Sequence, residues 1–128
     1  MTLFVSDLDG TLIDGKLTIP PDSAAGINAA IARGDGFAAA TARTPATVKG
    51  ILEPIYGALP AIVMNGAGVF DFEREEYIWL AEMSREKAQT VLGALDSLHM
   101  DGFLYTVDGC HINVYYRELE NLSQRMFL

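Results

Sequence analysis

A chain of 128 residues, half of them hydrophobic and a fifth charged, can bury a real core and reads as one folded, soluble domain rather than a disordered segment. Its net charge of −8 counts against nucleic acid or an anionic membrane surface as a partner, because both reward clustered Lys and Arg. The single cysteine, Cys110, cannot close an internal disulfide, and no Cys/His cluster suggests zinc.

The N-terminal Met1 to Val5 is too short for a secretory signal, and no apolar run approaches the roughly 20 residues that span a bilayer. A cytoplasmic protein with no membrane partner is expected. Leu3 to Ser6 is an apolar run ending abruptly in Asp7-Leu8-Asp9-Gly10, as a buried strand does when it exits into a turn. Pro20-Pro21-Asp22 opens a helix with Ile27, Ala30 and Ile31 on one face and Gly34 as its stop. Phe37 to Ala40 reads as a second buried strand. Thr44 then N-caps a helix running from Pro45 to about Pro54, and Ala61 to Met64 is a third strand broken by Asn65-Gly66.

This β-α-β-α-β order with short connections specifies parallel strands and right-handed crossovers. After Gly68 the pattern changes. Val69 to Phe72 and Tyr77 to Trp79 form a hairpin with Glu73 to Glu76 at its tip. Ser84 caps a helix to about Leu98 with Ala88, Val91, Leu92 and Leu95 inward. Phe103 to Val107 and His111 to Tyr116 flank an Asp108-Gly109 turn. The fold class is α/β, an incomplete parallel sheet followed by an α+β module, with the boundary near Leu80.

The first strand exit carries the chemistry. In an open parallel sheet, ligands bind beyond the carboxyl ends of the strands. Asp7 and Asp9, two apart in extended chain, point the same way, and such carboxylates repel unless a cation holds them. An all-oxygen set suits Mg²⁺, which keeps several waters and takes further oxygens from a phosphate. Gly10 lets the backbone turn and bring amide N–H groups to an anion.

Asp7-Leu8-Asp9-Gly10-Thr11-Leu12 after an apolar strand resembles the first signature motif of the haloacid dehalogenase-like (HAD) superfamily. Ala40-Thr41-Ala42-Arg43 is similar to the Thr-Gly-Arg of its Cof-like, sugar-phosphatase-like subfamily with a large α/β cap, alanine replacing glycine. Asn65-Gly66-Ala67 resembles that subfamily's passage from core to cap, and serves equally as a tight turn.

The resemblance implies a Rossmann-type core and a phosphomonoester hydrolase acting on a small phosphorylated metabolite such as a sugar phosphate. Asp7 would be the nucleophile that becomes an aspartyl-phosphate, and Asp9 the acid and then the base. Mg²⁺ would sit on Asp7 and the backbone carbonyl of Asp9. Gly10, Thr41 and Arg43 would bind phosphate, and Asn65 and Gly66 would lie beside the substrate. Met83, Trp79, Tyr105 and Tyr115 could tune selectivity or serve simply as core.

On this resemblance residues 1–80 are the N-terminal part of the core and residues 81–128 the first part of a cap. The lysine motif and the second acidic motif have no counterpart in the chain. Lys87, Asp96, Asp101 and Asp108 lie in cap segments. A fragment of a larger enzyme is expected, with self-association through the incomplete core as another outcome. The competing functions are a catalytically incomplete, non-catalytic phosphate or Mg²⁺ binding module, and phosphomutase chemistry.

Overall fold

In the computed structural model, which describes residues 1–116, the apolar N-terminal run is strand β1 (Leu3–Ser6). It pairs in parallel with β2 (Gly36–Ala39), Leu3 opposite Gly36 and Ser6 opposite Ala39. The crossover between them is helix α1 (Pro21–Ala32), with proline in the first turn, where a missing N–H costs nothing, and Asp22 at the positive end of the dipole. Gly34, at φ +92°, ends it, its N–H donating to the Ile31 carbonyl at 2.9 Å. Ile27 and Ile31 pack on the core as their spacing predicts, but the buried helix residue is Ala24.

Helix α2 (Pro45–Leu52) leads to β3 (Ala61–Val63), which joins β2 through a parallel bridge between Ala40 and Ile62. The helix stops two residues before Pro54, consistent with the restriction proline places on the residue before it. Thr44 stands at the N-cap position with no side-chain cap bond; its carbonyl takes the N–H groups of Thr47 and Val48 instead. Asn28 of α1 ties the following loop, its amide donating to the Pro54 carbonyl and accepting from the Tyr56 N–H, each at 2.9 Å.

The third strand is one residue shorter than its apolar run, because Met64 leaves the extended region at φ +52°. Met64–Gly66 forms a single 3-10 turn, and the chain reverses into β4 (Gly68–Asp71), antiparallel to β3, then β5 (Glu76–Leu80), antiparallel to β4. The expected hairpin is therefore the continuation of a three-stranded sheet. Phe70 meets Phe72 and Tyr77 edge-to-face beneath it, with centroids 5.2 and 4.9 Å apart. The core of this unit, Met1–Ala81, gathers Leu8, Ile13, Phe37, Val48, Leu52, Val63 and Phe70. Leu8, Val48 and Val63 are wholly buried, each worth about 1.5–3 kcal/mol of transfer from water.

The second unit begins at Glu82. Helix α3 (Arg85–Ser97) is capped by Ser84, whose Oγ accepts the Lys87 N–H at 3.3 Å. Strands β6 (Leu104–Asp108) and β7 (His111–Tyr115) form a hairpin in which Asp108 pairs with His111. The two loop residues are thus Gly109 and Cys110, with Gly109 at φ +61°, a turn shifted by one residue from the Asp-Gly signal. Ala88, Val91, Leu92 and Leu95 line a cavity of about 310 Å³ with Phe103 and Met83. Among the described residues no helix is long and apolar enough to cross a membrane.

Candidate functional site

Three strand exits meet at the carboxyl ends of the parallel strands in the first unit. At the first, Ser6 Oγ donates to the Asp7 carbonyl at 2.8 Å, and Asp7 Oδ1 accepts the Leu8 N–H at 2.8 Å. The chain does not stay extended here. Leu8 turns into the core, wholly buried between two exposed acids, and its carbonyl accepts the N–H groups of Thr11, Leu12 and Ile13 at 3.2, 3.0 and 3.0 Å. Exposed Asp7 and Asp9 flank the buried Leu8, as alternation predicts, and the chain then makes a turn, with Gly10 at φ +73°, where a side chain is disfavoured. An isolated bridge between Asp9 and Ile13 closes it.

At the second exit the Ala40 N–H donates to the Ser6 carbonyl at 2.8 Å, and the Thr41 N–H to the Ile62 carbonyl at 2.9 Å, which carries Thr41 into the sheet with only 5% exposure. Thr41 Oγ1 accepts the Arg43 N–H at 3.2 Å, leaving its own O–H as a donor. The third exit closes on the second, the Met64 N–H on the Arg43 carbonyl at 2.9 Å and the Asn65 N–H on the Thr41 carbonyl at 3.1 Å. Asn65 and Gly66, both exposed and both at positive φ, form the reversal between β3 and β4.

The Arg43 side chain lies on Asp9. Its Nε donates to Oδ2 at 2.8 Å and its Nη2 to Oδ1 at 2.6 Å, a two-pronged pair spanning 34 residues of sequence. The arginine side chain is 21% exposed and the carboxylate 50%. Hydrogen bonds from Arg43, aided by its charge and opposed by partial desolvation, hold the Asp9 carboxyl below the usual carboxylate range, and the same contact raises the Arg43 pKa. Spacing carried no sign of this pair. The parallel register did: Asp9 lies three residues beyond Ser6 and Arg43 four beyond its partner Ala39.

For a cation, Asp7 presents an exposed carboxylate with one oxygen engaged by the Leu8 N–H, while both carboxylate oxygens of Asp9 are taken by Arg43. Among the described residues no group of three or more His, Cys, Asp or Glu could hold a metal. This donor set fits a hard ion that keeps most of its ligands as water, with Asp7 as the one carboxylate donor and Asp9 able to offer its carbonyl.

Lys87, Asp96, Asp101 and Asp108 lie in the second unit, Lys87 in the first turn of α3. Cys110 is a free, exposed thiol.

A sequence model described as haloacid dehalogenase-like hydrolase matches residues 4–127. Among curated proteins nothing matches. Solved structures do. A haloacid dehalogenase-like hydrolase from B. subtilis is 27% identical at a TM-score of 0.66, covering 82% of this chain and 35% of its own. A HAD-superfamily phosphatase from Bacteroides thetaiotaomicron shares the fold at a TM-score of 0.75 with 17% identity, covering 98% of this chain and 44% of its own. A HAD subclass IIB sugar phosphatase is 26% identical at a TM-score of 0.63, covering 88% of this chain and 43% of its own. The chain thus spans less than half the length of each of these proteins.

Proposed function

This chain belongs to the haloacid dehalogenase-like hydrolases, and from that premise we propose that it carries the nucleophile side of a Mg²⁺-dependent phosphomonoester hydrolase. The observation that carries the reading is the knot of three strand exits, with Asp7, Asp9 and Thr41 all at the carboxyl end of the sheet. An Asp7 carboxylate oxygen bonds to phosphorus as the ester P–O bond breaks, and Asp9 gives its proton to the departing alkoxide. Water then attacks phosphorus as the bond from the Asp7 oxygen to phosphorus breaks; the water's proton passes to Asp9, inorganic phosphate leaves, and the Asp7 carboxylate is restored. Thr41 donates its hydroxyl to the transferring phosphoryl group, and Gly10, at φ +73°, lets the backbone turn close beside it.

Mg²⁺, held by the Asp7 carboxylate and the Asp9 carbonyl, would shield the charge between nucleophile and phosphate. Asn65 and Gly66 lie beside the substrate, and Arg43 serves the phosphate. The substrate class is a small phosphorylated metabolite, for which the sugar phosphatase among the similar structures gives the lead. Residues 1–80 are the core's N-terminal part and residues 81–128 the start of a cap, and a cytoplasmic location goes with this role.

The test is hydrolysis of an aryl phosphate by the 128-residue chain, with and without Mg²⁺. Asp7→Asn should lower kcat by about 10³-fold or more. Turnover that survives that substitution would remove Asp7 from the mechanism. A second reading has one observation in its favour: Arg43 holds both oxygens of the acid, which suits an anion-binding module without turnover. Folded protein that binds phosphate but releases no alcohol would select it.

A further inference from the structure

We propose that Asp9 and a phosphate monoester compete for one guanidinium, so that Arg43 holds the acid in the empty site and passes to the phosphate when it arrives, releasing Asp9. The inference rests on the reading of this site as a phosphate site.

Arg43 is fixed by its backbone. Its N–H is held by Thr41 Oγ1 at 3.2 Å and its carbonyl by the Met64 N–H at 2.9 Å, so the residue cannot leave the junction of the strand exits. Only its side chain is free to change partner. The same N–H bond uses Thr41 Oγ1 as acceptor and leaves the threonine O–H to donate, so on the phosphate-site reading the anion would sit next to the root of the arginine. Asp9 is the looser partner, half exposed and followed by the Gly10 turn. It cannot hand a proton to a leaving group while both its oxygens accept from Arg43. A phosphate dianion offers the same two-pronged geometry as a carboxylate with more charge, so it can displace Asp9 from the guanidinium. The consequence is a carboxylate whose oxygens are freed to take up a proton and pass it on only when a phosphate is seated.

The test is a double-mutant cycle read by calorimetry with inorganic phosphate as the probe, on the full chain in Mg²⁺ buffer. Arg43→Ala should weaken phosphate binding by about tenfold. Asp9→Asn should tighten it by about three- to tenfold when Arg43 is present and much less in the Arg43→Ala background. An equal gain in both backgrounds would mean only that a negative charge was removed, and would overturn the exchange. Weaker binding in Asp9→Asn would overturn it too, since Asp9 would then be orienting Arg43 toward the anion.

A second measurement needs no variant that might misfold. The Arg43 Nε–H, which donates to Asp9 at 2.8 Å, should shift in the ¹⁵N spectrum of the wild-type chain as phosphate saturates it; a signal that stays put while phosphate binds refutes the exchange. Folded wild-type protein that takes up no phosphate overturns the site reading and this inference together, whereas phosphate binding with an additive cycle overturns the inference alone.

Discussion

At Asp9 the neighbouring guanidinium decides which protonation state the fold prefers. Because Arg43 holds the Asp9 carboxyl below its ordinary range, the pair's stabilisation is complete above the ordinary carboxylate value near ~3.9 and is lost as pH falls through the lowered one. Wild type and Arg43→Ala should therefore differ by a constant amount in urea midpoint from pH 7 to about 5, and the gap should narrow from about pH 4 downward. With the carboxylate half exposed, the part that titrates is roughly 1 kcal/mol or less. Any gap left at the lowest pH is lost packing of the arginine stem. A gap that widens on acidification would contradict the assignment. Asp7, Asp9 and Thr41 were legible as candidates because their types and strand-end positions are written in adjacent residues. The partner of Arg43 was not, since side-chain reach across two strand exits separated by 34 residues is a tertiary fact.

Among the elements, α2 shows how a short helix secures the junction. Pro45, Val48, Ile51 and Leu52 are its buried positions, and Val48 has no exposure at all. Val48→Ala should lower unfolding free energy by about 2 kcal/mol, from two buried methyl groups and the cavity they leave, measured by denaturant titration. A loss under about 0.5 kcal/mol would mean that the site collapses around the smaller side chain. The opposite, exposed face carries Lys49, paired with Glu75 in the β4–β5 turn; each group's hydrogen bond to the other raises the lysine pKa and lowers the glutamate's. Both crossover helices, α1 and α2, were readable from proline placement and apolar spacing. The antiparallel addition of β4 to β3 was less so. Asn65-Gly66 announced a turn, but Met64, an ordinary residue at positive φ, supplied the reversal with them. Nothing in a methionine signals that conformation.

For the whole molecule, the described residues form two compact units, Met1–Ala81 and a second that begins at Glu82. The change of pattern after Gly68 was visible in the sequence as a switch from alternating βα units to hairpins. The α/β class was legible for the same reason, and the parallel pairing of β1 with β2 follows from it. What composition could not reveal is how much apolar strand surface the described residues leave uncovered. β1, which the sequence reads as a buried strand, is paired among the described residues only with β2, and its Leu3, Phe4 and Val5 are 57%, 49% and 51% exposed. An apolar strand with a bare edge is a template for further pairing. We therefore propose self-association through β1. Light scattering should give a mass above that of a monomer that rises with concentration, and Val5→Lys should lower it. A monomer at every concentration tested would exclude β1 as an interface.

The burial of Leu8 has a bearing on how such sites are recognised at all. It stands between the two acids, contributes no reacting atom, and among the described residues is one of the three largest side chains completely withdrawn from solvent. Its carbonyl gathers three amide protons, so the loop that carries the carboxylates is wound onto the hydrophobic interior at that residue. A pattern search or a designed loop that asks only for two aspartates one residue apart would accept many surface turns with nothing to hold them. Requiring an oily residue in the middle asks instead for a fastening, and makes the motif a statement about mechanics as much as about reactivity.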